Sequence, residues 1–134
     1  MDDCIFCKIV AGKIPKYQIY EDDNFIGFLD INPLSMGNSL LIPKIHYRWV
    51  YDVPEFGLYW EASKKIAEAS IKALNADSVS FLTIGYEVPH AHIRIIPRFL
   101  NNIHQNGLDL SHHEKYTPHE MTEISQKIIN FLNK

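Results

Sequence analysis

The stretch V-P-H-A-H-I-R-I-I-P-R runs from Val88 to Arg98. Its β-branched residues predict a strand, and on a strand alternate side chains share a face. His90, His92 and Arg94 then form a row of two imidazoles and a guanidinium. Ala91, Ile93 and Ile95 occupy the opposite, core-facing side. Pro97 cannot donate to a ladder and is expected to close the strand. A half-exposed strand with polar outward residues is the simple reading. Three such groups on one rigid rail instead suit holding an anion such as phosphate, or holding a metal.

The flanks of this strand set its context. Upstream, Ser78–Ile84 reads as a strand and Gly85-Tyr86-Glu87 as the turn that delivers the chain to His90. Before it, a long helix opens at Pro54 and ends near Leu74, with Phe56, Tyr59, Trp60, Ser63, Ile66, Ala67, Ser70, Ile71 and Leu74 on its core face. Glu61, Lys64, Lys65, Glu68 and Lys72 are its solvated side. Downstream, residues 101–116 turn polar and read as a solvated loop containing His104, His112 and His113. Adjacent histidines point apart in most backbones, so His112 and His113 make a poor bidentate metal site. Thr117-Pro118-His119-Glu120 is a capping box that starts a last helix to about Leu132, with Met121, Ile124, Ser125, Ile128, Ile129 and Leu132 as its packing stripe.

Toward the N-terminus, Ser39–Pro43 reads as a strand buried on both faces, with His46 just past its exit. Tyr17–Glu21 and Asn24–Ile31 read as a hairpin turned by Asp22-Asp23-Asn24. Asp30 falls where the second strand runs into a loop. There a carboxylate can bind ligand hydroxyls or stabilise the turn itself. A short helix spans Cys4–Val10, capped by Asp2 or Asp3 and stopped by Gly12. Cys4 and Cys7 are neighbours on it, which fits half of a tetrahedral zinc site or two small buried residues. The element order predicts an α+β fold: a meander-type antiparallel sheet of about five strands, one long helix and two shorter ones.

The length of 134 residues fits a single domain over 1–134. The hydrophobic fraction of 46% and charged fraction of 22% are ordinary for a globular protein. A net charge of −3 implies no bulk attraction to nucleic acid. No apolar run approaches a membrane span, and no leader precedes Cys4. These features predict a cytoplasmic protein with reduced cysteines, without nucleic-acid or membrane partners.

Four pieces occur in order: C-I-F-C-K-I-V-A-G-K-I-P from Cys4, F-L-D-I-N-P from Phe28, L-L-I-P-K-x-H from Leu40 and V-P-H-A-H-x-x-I-I-P-R from Val88. Together they resemble the histidine triad (HIT) superfamily, in its small Hint-like bacterial-type branch. The resemblance implies a homodimer whose sheets join, and no organic cofactor. It implies binding of a purine nucleotide or nucleotide conjugate, and hydrolysis or transfer at its α-phosphate. A nucleoside phosphoramidate, dinucleoside polyphosphate or aminoacyl adenylate would be the substrate. His92 matches the nucleophile and His90 the first motif histidine. Asp30 matches the ribose-binding residue, and Phe28 and Ile31 match residues flanking the base. Cys4, Cys7, His46 and His90 match a structural zinc set found in some bacterial members. With no fifth protein ligand, such a set is a closed site.

Two positions depart from that pattern. Arg94 stands where the third histidine is usual; it can grip phosphate bidentately but cannot shuttle a proton. The run Thr83-Ile84-Gly85-Tyr86-Glu87 lacks the Asn and Gln that commonly contact phosphate and leaving group. The alternative to an enzyme is therefore a zinc-stabilised nucleotide-binding module with little catalysis.

Overall fold

The computed structural model describes residues 3–100, 102–104 and 106–133. Five strands form one antiparallel sheet: β1 (Gln18–Glu21), β2 (Phe25–Leu29), β3 (Ser39–Pro43), β4 (Ser78–Leu82) and β5 (Ile93–Arg98). The helices are α1 (Ile5–Val10), α2 (Phe56–Leu74) and α3 (Pro118–Leu132), with a 3-10 turn at Val50–Asp52. This is the expected α+β architecture. The strand order β1-β2-β3-β5-β4 departs from a simple meander in one place. The chain leaves β3, runs through α2 and lays down β4 one position out. β5 then returns to fill the gap, pairing Leu40 with Arg94 on one side and Leu82 with Arg94 on the other.

Alternation along the strands sorts residues to two faces. Leu41, Ile93 and Ile95 face α2 and α3, where they join Tyr59, Ile66 and Ile128 in the larger core. Small residues Ala62, Ser63, Ala69 and Ser70 let α2 lie close to the sheet, and both serine hydroxyls donate back to helix carbonyls. Tyr59 donates to the Leu41 carbonyl at 2.7 Å and pins α2 to the central strand. Leu40, Ile42, Ile26 and Phe28 face the other way, against Cys4, Phe6 and Ile9 of the α1 segment. A six-residue helix is only about 9 Å long. It cannot cover a five-stranded sheet, and the uncovered part of that face becomes the cleft described below.

Several expectations need correction. Helix α1 is capped by Cys4, whose Sγ accepts from the Cys7 amide at 3.3 Å, not by Asp3; Asp2 lies outside the described residues. Helix α2 starts at Phe56, because Pro54 sits in a turn that follows the 3-10 segment. Phe56 is exposed, and Trp60 and Ile71 are half-buried. Close approach to the sheet requires small residues there, so the large rings splay to the β4 edge, where Trp60 meets Phe56 and Phe81 edge to face. Strand β4 ends at Leu82, short of Ile84. Pro97 lies within β5, opposite Val79, and the strand continues to Arg98. His104 is buried, not solvated: its Nε2 donates to the Leu34 carbonyl and its Nδ1 accepts from the Asp109 amide. It staples the loop after β5 to the loop after β2.

The largest correction concerns the rail itself. β5 begins at Ile93, so His90 and His92 precede it, outside the sheet ladder. The His90 amide folds back to the Val88 carbonyl at 2.9 Å, and the Ala91 amide reaches the Tyr47 carbonyl at 2.7 Å. This local bend directs the His90 ring to the sulfurs of Cys4 and Cys7.

Candidate nucleotide cleft and metal cluster

His90 is fully buried and points into a cluster with Cys4, Cys7 and His46. The His90 Nδ1 lies 3.3 Å from Cys4 Sγ and 3.5 Å from Cys7 Sγ. His46 Nδ1 lies 3.3 Å from Cys7 Sγ. All four donor atoms fall within 4.8 Å of one another. A tetrahedron with Zn–S near 2.3 Å and Zn–N near 2.0 Å has edges of roughly 3.3–3.8 Å, which the three S–N separations of 3.3–3.5 Å match. The donor chemistry fits as well. His90 Nε2 is 2.9 Å from the Pro43 carbonyl, which can only accept, so the proton sits on Nε2 and the Nδ1 lone pair faces the sulfurs. Burial lowers the His90 pKa to about 4, which keeps the ring neutral. Burial pushes the Cys7 thiol up to about 11, with help from Cys4, so a cation is needed to hold it as thiolate at neutral pH.

His92 lines a cleft of about 590 Å³ on the sheet face that α1 leaves open. Its Nδ1 is 2.8 Å from the His90 carbonyl. That carbonyl can only accept, so Nδ1 carries the proton and Nε2 keeps a free lone pair. Burial lowers the His92 pKa, and the Arg94 and Arg48 charges lower it further, against the opposing carbonyl bond and Asp30. Phe6 packs edge-on against both imidazoles, with ring centroids 5.7 Å from His90 and 5.3 Å from His92.

The rest of the cleft divides by chemistry. Phe6, Ile9, Phe28, Ile31 and Leu40 make an apolar part, with Ile31 75% exposed at its rim. Asp30, Arg94 and His113 make a polar part. Asp30 shapes the turn, where its Oδ1 accepts from the Asn32 amide at 2.9 Å, while its Oδ2 lies 3.7 Å from Arg94 Nη2. Burial raises the Asp30 pKa despite both partners. Arg94 also keeps a buried Nε without a hydrogen-bond partner among the described residues. Of the expected site residues, His92, Arg94, Asp30, Phe28 and Ile31 thus line one cleft, and His90 belongs to the Cys/His cluster that could hold a metal.

Residues 11–101 match the HIT domain family. The chain belongs to that family. This HIT protein is 34% identical over 134 residues to protein hit of Bacillus subtilis, covering 95% of this chain and 92% of that one. It is 42% identical over 104 residues to the adenylylsulfatase HINT3 of Arabidopsis thaliana, covering 72% of this chain. It spans 53% of that longer relative. Its fold superposes on a zinc-bound histidine triad family protein from Mycobacterium smegmatis with a TM-score of 0.82 at 31% identity, covering 98% and 94% of the two chains. Cys4 and Cys7 precede the matched family segment, so half of the HIT protein's candidate metal-binding cluster comes from outside it. No helix among the described residues is long and apolar enough to cross a membrane.

Two features of the site escaped the sequence reading. His113 lines the cleft, held by the Asn32 carbonyl at 2.8 Å from its Nδ1, while the neighbouring His112 turns to His104 and Glu114. Arg48 acts on His92 from the segment after His46. Neither lies in a periodic segment, and no spacing rule links either to the motif.

Proposed function

We propose that this protein hydrolyses or transfers nucleotidyl groups at the α-phosphate of a purine nucleotide conjugate, through a nucleotidyl-His92 intermediate. The observation that carries this reading is the His92 Nδ1 to His90 carbonyl bond, which leaves Nε2 unprotonated inside a nucleotide-sized cleft. Family membership and the adenylylsulfatase relative support the reaction class. The base packs on Phe28 and Ile31, the ribose hydroxyls bond to Asp30, and Arg94 holds the phosphoryl oxygens with the donors that Asp30 does not use. His92 Nε2 attacks phosphorus as the bond to the leaving group breaks, and the leaving group takes up a proton from solvent. Water then attacks phosphorus, the P–Nε2 bond breaks, and the water proton passes to solvent, which releases the nucleotide and returns Nε2 with its lone pair.

Cys4, Cys7, His46 and His90 would hold zinc, which would bind α1 to two strands and polarise nothing in the cleft. The protein works in the cytoplasm as a homodimer in this reading. Roles for all of these residues follow from position and chemistry together with the family pattern.

The test is intact-protein mass spectrometry after rapid mixing with adenosine 5′-phosphoramidate and, separately, adenosine 5′-phosphosulfate, with AMP release followed in parallel. An AMP-sized adduct that maps to His92 and decays to AMP is expected. His92→Asn should cut turnover by at least about a thousandfold and keep AMP binding. A fully active His92→Asn protein would overturn the mechanism. Tight AMP binding with neither adduct nor release would make the protein a zinc-stabilised binding module, the reading that Arg94 in place of histidine favours.

A further inference from the structure

The chain leaves the sheet after Leu29, and the carbonyls of the loop that follows need partners no ladder supplies. The loop after β5 provides them at three successive residues. His113 Nδ1 lies 2.8 Å from the Asn32 carbonyl, the Glu114 amide donates to the Pro33 carbonyl at 2.8 Å, and His104 Nε2 lies 2.8 Å from the Leu34 carbonyl. The loop is thereby laid along the cleft, where its Leu110 and His113 join the lining.

One residue ties His113 to Asp30. Asn32 donates its amide to Asp30 Oδ1 at 2.9 Å, and its carbonyl faces His113 Nδ1. That carbonyl can only accept, so Nδ1 carries the proton, and the neutral ring keeps one further polar atom, the Nε2 lone pair. His113 is exposed, yet its ring is held: Nδ1 anchors it, and the Glu114 amide fixes the next backbone unit. Of the two adjacent histidines, His112 lies 3.6 Å from a Glu114 carboxylate oxygen, while among the described residues His113 is ion-paired with no carboxylate.

A ribose presents two hydroxyls, hence two protons to place. The cations of the cleft, Lys16 and Arg94, have only donors to give. Asp30 has already committed Oδ1 to the Asn32 amide. We propose that His113 is a second ribose-reading residue, whose Nε2 accepts one sugar hydroxyl while Asp30 accepts the other, so that the cleft selects ribonucleotides over their deoxy forms. The proposal rests on the nucleotide reading above and adds a binding residue and a sugar selectivity that it leaves open. A ring held in advance on a stitched loop loses little freedom when the sugar arrives, so the bond contributes to affinity nearly in full.

Binding tests this without turnover. Affinities for AMP and 2′,3′-dideoxy-AMP are measured by calorimetry at about pH 8 in the wild type, His113→Asn and His113→Phe. Asparagine keeps an amide donor for the Asn32 carbonyl and places nothing where Nε2 stood; phenylalanine keeps the ring and removes both nitrogens. Each variant is expected to weaken AMP by about fivefold relative to 2′,3′-dideoxy-AMP, the scale of one neutral hydrogen bond. In His113→Asn the dideoxy nucleotide should stay within about twofold of the wild type. Equal losses for both ligands would make His113 a loop brace and overturn the proposal, as would unchanged affinities in both variants. A wild type that binds AMP no better than the dideoxy form would also overturn it, leaving base and phosphate contacts in place. A wild type that binds neither would overturn the nucleotide reading beneath it.

Discussion

His92 Nδ1 donates to the His90 carbonyl at 2.8 Å, while the His90 ring turns back to the sulfurs of Cys4 and Cys7. One residue thus presents its side chain to the candidate metal cluster and its backbone to the proposed nucleophile. Phe6 reinforces the link, because α1 presses it against both rings.

Metal loss should therefore reach the chemistry through position. Chelation, or Cys7→Ser, is expected to lower kcat by about 10–100-fold while changing KM for the nucleotide little, the range seen when the support of a site residue is removed. Steady-state kinetics with and without chelator check this, alongside zinc content. Stripped protein with full kcat would show that the cluster and the cleft are independent. Zinc uptake should also release protons and weaken as pH falls, since the Cys7 thiol sits near 11 without metal.

Asp30 and Arg94 are 3.7 Å apart, close enough for attraction and too far for a committed hydrogen bond. Both stay available to ligand. Asp30→Asn should weaken AMP by about tenfold and a 2′,3′-dideoxy-AMP much less, because only the former offers hydroxyls to the carboxylate. Comparable losses for both nucleotides would place the ribose elsewhere.

Acid should unfold the metal-free protein partly through His90. Its pKa is about 4 folded against 6.5 for the free side chain. Between those values the unfolded chain binds a proton that the folded chain refuses, so stability falls as pH falls. The contribution is fully present above pH 6.5 and is lost as pH drops to about 4, amounting to about 3 kcal/mol. Urea unfolding in chelator at pH 7.5 and 4.5 measures it. His90→Asn should show a smaller loss over the same interval; an unchanged loss would assign the acid lability to other groups.

Gly37 has a φ of +81°, and a Cβ there would stand 2.3 Å from Leu74 Cδ1. Gly37→Ala is expected to cost about 2–3 kcal/mol, from left-handed strain and displacement of that methyl. Gly57, within α2, meets nothing within 4 Å. Gly57→Ala should gain up to about 1 kcal/mol. Thermal or urea denaturation of both variants tests the pair; a destabilised Gly57→Ala or a neutral Gly37→Ala would contradict this account.

The elements were legible where residues repeat with a strong period. The α3 stripe, the Thr117 capping box, the doubly buried β3 and the hairpin all follow from local pattern. The rail was legible only in part. Extended backbone alternates whether or not it pairs, so periodicity marked His90, His92 and Arg94 without showing where β5 begins. The bend at His90 depends on a contact to Val88 and on the Tyr47 carbonyl reaching Ala91, and neither leaves a trace in spacing. Convergence of Cys4, Cys7, His46 and His90 came from the family resemblance, since 86 residues separate Cys4 from His90. His104, His113 and Arg48 act through single long-range contacts from irregular segments, where no pattern distinguishes a binding side chain from a solvated one.

The position of β5 between β3 and β4 also sets an order of events for a newly made chain. β3 and β4 flank an empty lane until Ile93–Arg98 arrive, so neither can complete its ladder during early synthesis. Contacts of long sequence separation form slowly because the loop between them must close first. The strand that closes the lane is the one that carries Arg94 and is led in by His92. A nascent chain emerging from the ribosome therefore has no formed cleft: the last central strand to be laid down brings His92 and Arg94 with it.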